Sequence, residues 1–154
     1  MTEAAGRPSV VDASVAVKWL FEEPQSDSAE RLYTDSLAVG RPLLAPSLFP
    51  NEVTNAIYRQ LRRGLIEESR ADEAIARFDD FGQDVRLLDV PGMTREAYAF
   101  AKHHQLGAIY DSLYVVLARD LGADLWTDDR TLLTRLAAAA PWVRWIGDYP
   151  PAGA

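Results

Sequence analysis

Asp12, Glu52, Asp111 and Asp129 are the residues of this chain whose types and surroundings point to chemistry. Asp12 ends the short β-branched run Ser9-Val10-Val11 and opens the apolar stretch Ala13-Ser14-Val15-Ala16-Val17-Lys18-Trp19-Leu20-Phe21. The first run reads as a buried strand and the second as a helix. That places a carboxylate at the carboxyl end of a strand, where open α/β sheets bind ligands. Asp111 lies in the segment 109–118, which is apolar nearly all round, so its helix is expected to be largely buried. A lone buried carboxylate carries a desolvation cost of several kcal/mol unless it is paired or bound to metal. The helix dipole also favours an acid in this first turn.

Asp129 follows Leu125-Trp126-Thr127, at the carboxyl end of a second expected strand. Asp129 or its neighbour Asp128 also suits the N-cap of the next helix. Two strands with acids at the same end face one crevice. Glu52 lies early in a helix, beside Val53 and one turn before Ala56, at the edge of the apolar stripe. An ordinary first-turn acid occupies the same position. Asn55, one turn on, is placed to orient it by a hydrogen bond.

Brought together, the four acids suggest one chemistry. Close carboxylates repel by about 4 kcal/mol per pair at an effective dielectric near 20. They stay ionised together only with a cation among them, and hard oxygen ligands select Mg²⁺ or Mn²⁺. One or two such ions activate water and stabilise the leaving oxygen in phosphodiester hydrolysis. The hydroxyls of Ser14 and Thr127 stand beside two of the acids, placed either to orient a carboxylate or a metal-bound water, or to serve capping and turn formation.

The elements that must position these residues alternate. Strands are expected at 9–11, 42–45, 85–90, 123–127 and 142–146. Helices are expected at 13–21, 25–39, 47–63 with Ser47 as N-cap, 67–81, 94–105 with Thr94 as cap and Gly107 as stop, 109–121, and 130–140. Ala29, Leu32, Tyr33, Ser36 and Leu37 form the expected inner face of the second helix. Short connections between alternating strands and helices imply an α/β fold, a mainly parallel sheet of about five strands with helices on both faces.

The 154 residues are enough for one domain with a core, expected to span 1–154 with irregular tails at 1–7 and 149–154. There are no cysteines, so thiolate chemistry and disulfides are excluded. The segment 1–8 carries Glu3 and no apolar core, unlike a signal peptide, and no apolar run approaches the roughly 20 residues needed to cross a bilayer. A cytoplasmic protein without a membrane partner is expected. The formal net charge of −7 counts against a simple nucleic-acid-binding module, but not against an enzyme whose acids hold cations.

The segments Val10-Val11-Asp12-Ala13-Ser14, Pro50-Asn51-Glu52-Val53-Thr54-Asn55, Tyr110-Asp111-Ser112-Leu113-Tyr114 and Trp126-Thr127-Asp128-Asp129-Arg130 resemble the PIN-domain ribonucleases, above all the VapC-type toxins of bacterial toxin–antitoxin systems. The resemblance covers nearly the whole chain, and it is carried by the four segments in order. It implies a single PIN-like domain and a Mg²⁺- or Mn²⁺-dependent endoribonuclease that cuts structured RNA such as transfer or ribosomal RNA. It also implies a homodimer and a cognate, VapB-like antitoxin that places a C-terminal segment in or near the acidic site. The family pattern sets its last acid two residues after the threonine, which selects Asp129. Asp128 stands where the family usually has a small residue, as a surrogate ligand or a helix cap.

Arg59, Arg62 and Arg63 either guide RNA phosphates or form a solvated helix end. Two other functions compete. A domain that keeps the fold without turnover is one. An aspartate-based phosphatase is the other, and it wants a second acid where Ser14 stands.

Overall fold

Ser9–Val11 (β1) is buried at every residue and pairs in parallel on both sides, with Leu43–Ala45 (β2) and with Asp124–Thr127 (β4). A strand covered on both faces reads as an unbroken apolar run, which is why β1 is visible in the sequence. The computed structural model describes residues 7–151. Val85–Leu87 (β3) adds to β2, and Val143–Trp145 (β5) adds to β4, so the parallel sheet has the order β3-β2-β1-β4-β5. The chain moves outward from β1 through β2 to β3, then returns to lay β4 on the other side of β1. The strand order therefore reverses between β1 and β4, and the crevice beyond their carboxyl ends is where such sheets take ligands.

Among the described residues seven α-helices connect the strands: Ala13–Leu20 (α1), Ser26–Val39 (α2), Phe49–Arg62 (α3), Glu68–Phe81 (α4), Met93–His104 (α5), Ile109–Leu121 (α6) and Arg130–Leu136 (α7). α1 packs on α2 and α3, and α3 packs on α4, while α5 and α6 form a second packed pair. Both α1 and α6 lie against β4. Val10, Val11, Val15, Leu125 and Val115 to Leu117 are fully buried at this junction. The first turns of α1, α3, α6 and α7 carry the four acids or follow them directly. No helix among the described residues is long and apolar enough to cross a membrane.

Several local expectations are corrected. Ser47 is not an N-cap: α3 begins two residues later, with Leu48 at the cap and Pro50 in its first turn, and the Ser47 amide donates to Asp89 instead. Gly92, at φ 81°, precedes α5 in place of Thr94, and Gln105 in the left-handed region ends it before Gly107. β3 stops at Leu87, and α7 gives way to a 3-10 turn at Ala137–Ala139. Leu37 is half exposed rather than inward. Residues 149–151 are irregular, as expected, yet Tyr149 is anchored: it is buried, stacks edge-on against Trp126 and donates its hydroxyl proton to Asp35. The rest of the expected tails, 1–6 and 152–154, lies outside the described residues.

Candidate active site

Asp12 caps α1 from the end of β1. Its backbone is extended (φ −103°, ψ 177°), and its Oδ1 accepts the Val15 amide at 3.3 Å. A short polar side chain at this position satisfies one of the free amides of the helix start. The same Oδ1 accepts the Ser14 hydroxyl, and Oδ2 accepts the Thr127 hydroxyl reaching across from the end of β4. Those hydroxyls are themselves fixed. The Asp128 amide donates to Ser14 Oγ at 2.8 Å, and the Asp129 amide donates to Thr127 Oγ1 at 3.0 Å. Each hydroxyl has a single proton and commits it to Asp12, so the two oxygens, 3.4 Å apart, do not bond each other.

Even with these donors, Asp12 is pushed up to about 7. Burial is the main cause, and the nearby charge of Asp111 acts in the same direction. Asp111, half-buried in the first turn of α6, is pushed up to about 6 by burial and by the charges of Asp129 and Glu52. No hydrogen bond from a described residue offsets this; Asp111 feels the charges of Asp129 and Glu52, and Asp12 feels the charge of Asp111. Asp129 caps α7 by accepting the Leu132 amide on Oδ1 at 3.0 Å.

Glu52 enters from the first turn of α3. Its orienting partner is Tyr114, whose hydroxyl donates to Oε1 at 2.6 Å, and not Asn55, whose side chain is solvent-exposed. Tyr114 is 2 % exposed and stands three residues after Asp111 on α6. Its hydroxyl is pushed far up by burial, by its bond to Glu52 and by the charges of Glu52, Asp12 and Asp111, which keeps it a donor.

The structure thus brings Asp12, Glu52, Asp111 and Asp129 into one field, with Ser14 and Thr127 as supports for Asp12. Asp128 is not the cap of α7, which is Asp129; its Oδ2 is paired with Lys18 at 2.9 Å and its Oδ1 accepts the Trp145 indole N–H at 2.8 Å. Tyr114 and Lys18 escaped sequence reasoning. The signal for Lys18 was a lone charge inside an apolar helix, and for Tyr114 a hydroxyl one turn from Asp111.

The donor set suits a hard divalent cation. It consists of carboxylate oxygens, two of which are held partly protonated near neutral pH by burial and mutual repulsion, a state that positive charge would relieve. Among the described residues no three acidic or histidine side chains form a ready-made ion cage. A hard cation there would keep several waters and take one or two of these carboxylates at a time.

Compared with known families, residues 9–138 match the PIN domain. The chain is 30% identical over 129 residues to Ribonuclease VapC3 of Pyrobaculum aerophilum, covering 84% of this chain and 95% of that protein. Among solved structures, PAE2754 of Pyrobaculum aerophilum superposes with a TM-score of 0.67 at 20% identity, covering 94% of this chain and 93% of that one. VapC20 of Mycobacterium tuberculosis, a sarcin-ricin loop cleaving toxin, superposes with a TM-score of 0.60 at 17% identity, covering 88% and 98%.

Proposed function

The chain belongs to the PIN-domain family, and we propose that it is a Mg²⁺- or Mn²⁺-dependent endoribonuclease that acts as a VapC-type toxin. One observation carries the chemistry: burial raises Asp111, with the charges of Asp129 and Glu52 adding to it, and burial raises Asp12, with the charge of Asp111 adding to it, so acids from four helix starts lie close enough to feel one another. Carboxylates in that arrangement need a cation, and RNA supplies the phosphate oxygens that complete such a cation's shell. The ribonuclease VapC3 and the RNA-cleaving VapC20 support the substrate class.

Asp12, Glu52, Asp111 and Asp129 would share the hydrated metal, one or two carboxylates binding it directly and the others through its waters. When bound, Mg²⁺ or Mn²⁺ supplies an activated water and charge to stabilise the leaving oxygen. Ser14 and Thr127 keep the Asp12 carboxylate in a single orientation, and Tyr114 does the same for Glu52. Asp111, pushed up to about 6, would be held in its ionised form by positive charge in the crevice. In this reading the chain works as one PIN domain over 1–154, forms a homodimer and acts in the cytoplasm on a structured transfer or ribosomal RNA. A cognate antitoxin with a basic residue complements the acidic crevice and silences it.

Expression of the wild type against Asp12→Ala, with mapping of new 5′ ends in total RNA, tests this. The wild type is expected to generate discrete ends in a structured RNA and to arrest growth, and the variant neither. Identical end profiles for the two proteins would contradict the proposal.

A further inference from the structure

We infer that Lys18, Asp128 and Trp145 form an anchor that holds the backbone between Thr127 and Asp129, and so aims the Ser14 and Thr127 hydroxyls at Asp12. The inference rests on reading the four acids as one site.

Lys18 is 3 % exposed within an apolar helix. A buried ammonium is tolerated only when its donors are met. Its three donors have three partners: Glu23 Oε1 at 3.1 Å, the Pro24 carbonyl at 2.8 Å and Asp128 Oδ2 at 2.9 Å. The other Asp128 oxygen accepts the Trp145 indole N–H at 2.8 Å. Trp145 is itself confined. Its backbone is in register with Thr127 across the β4–β5 ladder, and the Arg130 guanidinium lies 4.4 Å from its ring centroid. A Cβ at Gly147 would stand only 2.3–2.5 Å from the ring, so glycine there is what lets the indole lie in place.

Asp128 is therefore tied to α1 on one side and to β5 on the other. Its own amide and the next one are the two that bond Ser14 Oγ and Thr127 Oγ1. Moving the Asp128 side chain moves both amides, and the hydroxyl protons then lose the acceptor geometry that points them at Asp12. Lys18, Asp128 and Trp145 touch neither substrate nor metal in this account and are positioning residues. Side chains that orient metal ligands from behind change metal affinity or activity by roughly 10–100-fold when removed.

The test uses Trp145→Phe, which keeps the ring against Gly147 and removes only the N–H, together with Asp128→Ala and Asp128→Asn. Amide hydrogen exchange is followed in metal-free protein, and Mn²⁺ binding is followed by calorimetry. Trp145→Phe and Asp128→Ala are expected to lose protection about tenfold or more at the amides of Asp128 and Asp129 while Val10 and Leu125 keep theirs. Their Mn²⁺ affinity is expected to fall about 10–100-fold, with Asp128→Asn recovering part of it through its remaining acceptor. Unchanged protection at the two amides overturns the anchor. So does an equal loss throughout β1 and β4, which marks general destabilisation. A wild type that binds no Mn²⁺ overturns the metal-dependent reading instead, and the amide pattern still decides the anchor.

Discussion

Asp12 combines two duties that pull against each other: it caps a helix, and it keeps a charge in a buried crevice beside another acid. Three donors, the capping amide of Val15 among them, favour the ionised form, but burial outweighs them and moves its pKa from 3.8 to about 7. The folded, metal-free protein therefore holds a proton over a pH range where the unfolded chain has released it. The stability this group contributes is present in full below about 3.8, declines as pH rises and is gone above about 7. Asp12→Asn still caps the helix and cannot titrate. In EDTA, the stability of Asp12→Asn relative to wild type should rise between pH 5 and pH 8, as read from urea midpoints at the two values. A difference that does not change with pH would contradict the assignment. Tyr114→Phe isolates the second support. It leaves Glu52 without its donor and should lower Mn²⁺-dependent cleavage about 10–100-fold, with more Mn²⁺ needed for half-maximal rate. An unchanged Mn²⁺ dependence would remove Tyr114 from the site.

At the scale of elements, the site depends on α1 and α6 packing on β4, with α3 held against α1 and α7 against β5. β4 is the element on which most of this converges, since it pairs with β1 and β5 and carries α1 and α6 on its faces. Leu125 is fully buried there. Leu125→Ala should cost about 2–5 kcal/mol, measured by urea denaturation, because the surrounding sheet and helices cannot collapse into the space. A loss below about 1 kcal/mol would mean that the strand is not the centre of packing. Much of this frame was legible in the sequence. β1 and β4 are short apolar runs closed by acids, and α6 is apolar on most of its surface, so element order and the crevice followed from period and punctuation. What was hidden depends on contacts between distant parts of the chain. Asn55 was a reasonable partner for Glu52 by spacing along one helix, but the hydroxyl that reaches Glu52 comes from α6, 62 residues away. Asp128 could not be separated from Asp129 until Lys18 and Trp145 were seen to claim both of its oxygens. The anchoring of Tyr149 within the irregular tail was hidden because it packs on Trp126 and donates its hydroxyl proton to Asp35 in α2, both distant in sequence.

At the scale of the whole molecule, a chain of net charge −7 is being assigned a polyanionic substrate. Long-range attraction from the net charge does not favour RNA, so the cation must offset the negative charge of the crevice where a phosphate enters. The order β3-β2-β1-β4-β5 makes that local by putting the strand reversal beside Asp12 and Asp129. Apo protein should therefore be inert toward RNA, and the cation should be required at the chemical step. Purified protein incubated with a structured RNA tests the central claim most directly, with Mn²⁺ or EDTA and with wild type compared with Asp111→Asn. Asp111 is the acid placed among the other three, and its amide variant preserves size while removing charge. The account predicts discrete cleavage by wild type with Mn²⁺, none in EDTA, and at least about a hundredfold loss in the variant, equal to about 2.7 kcal/mol of transition-state stabilisation. Cleavage that persists in EDTA, or that Asp111→Asn retains at the wild-type rate, would contradict it.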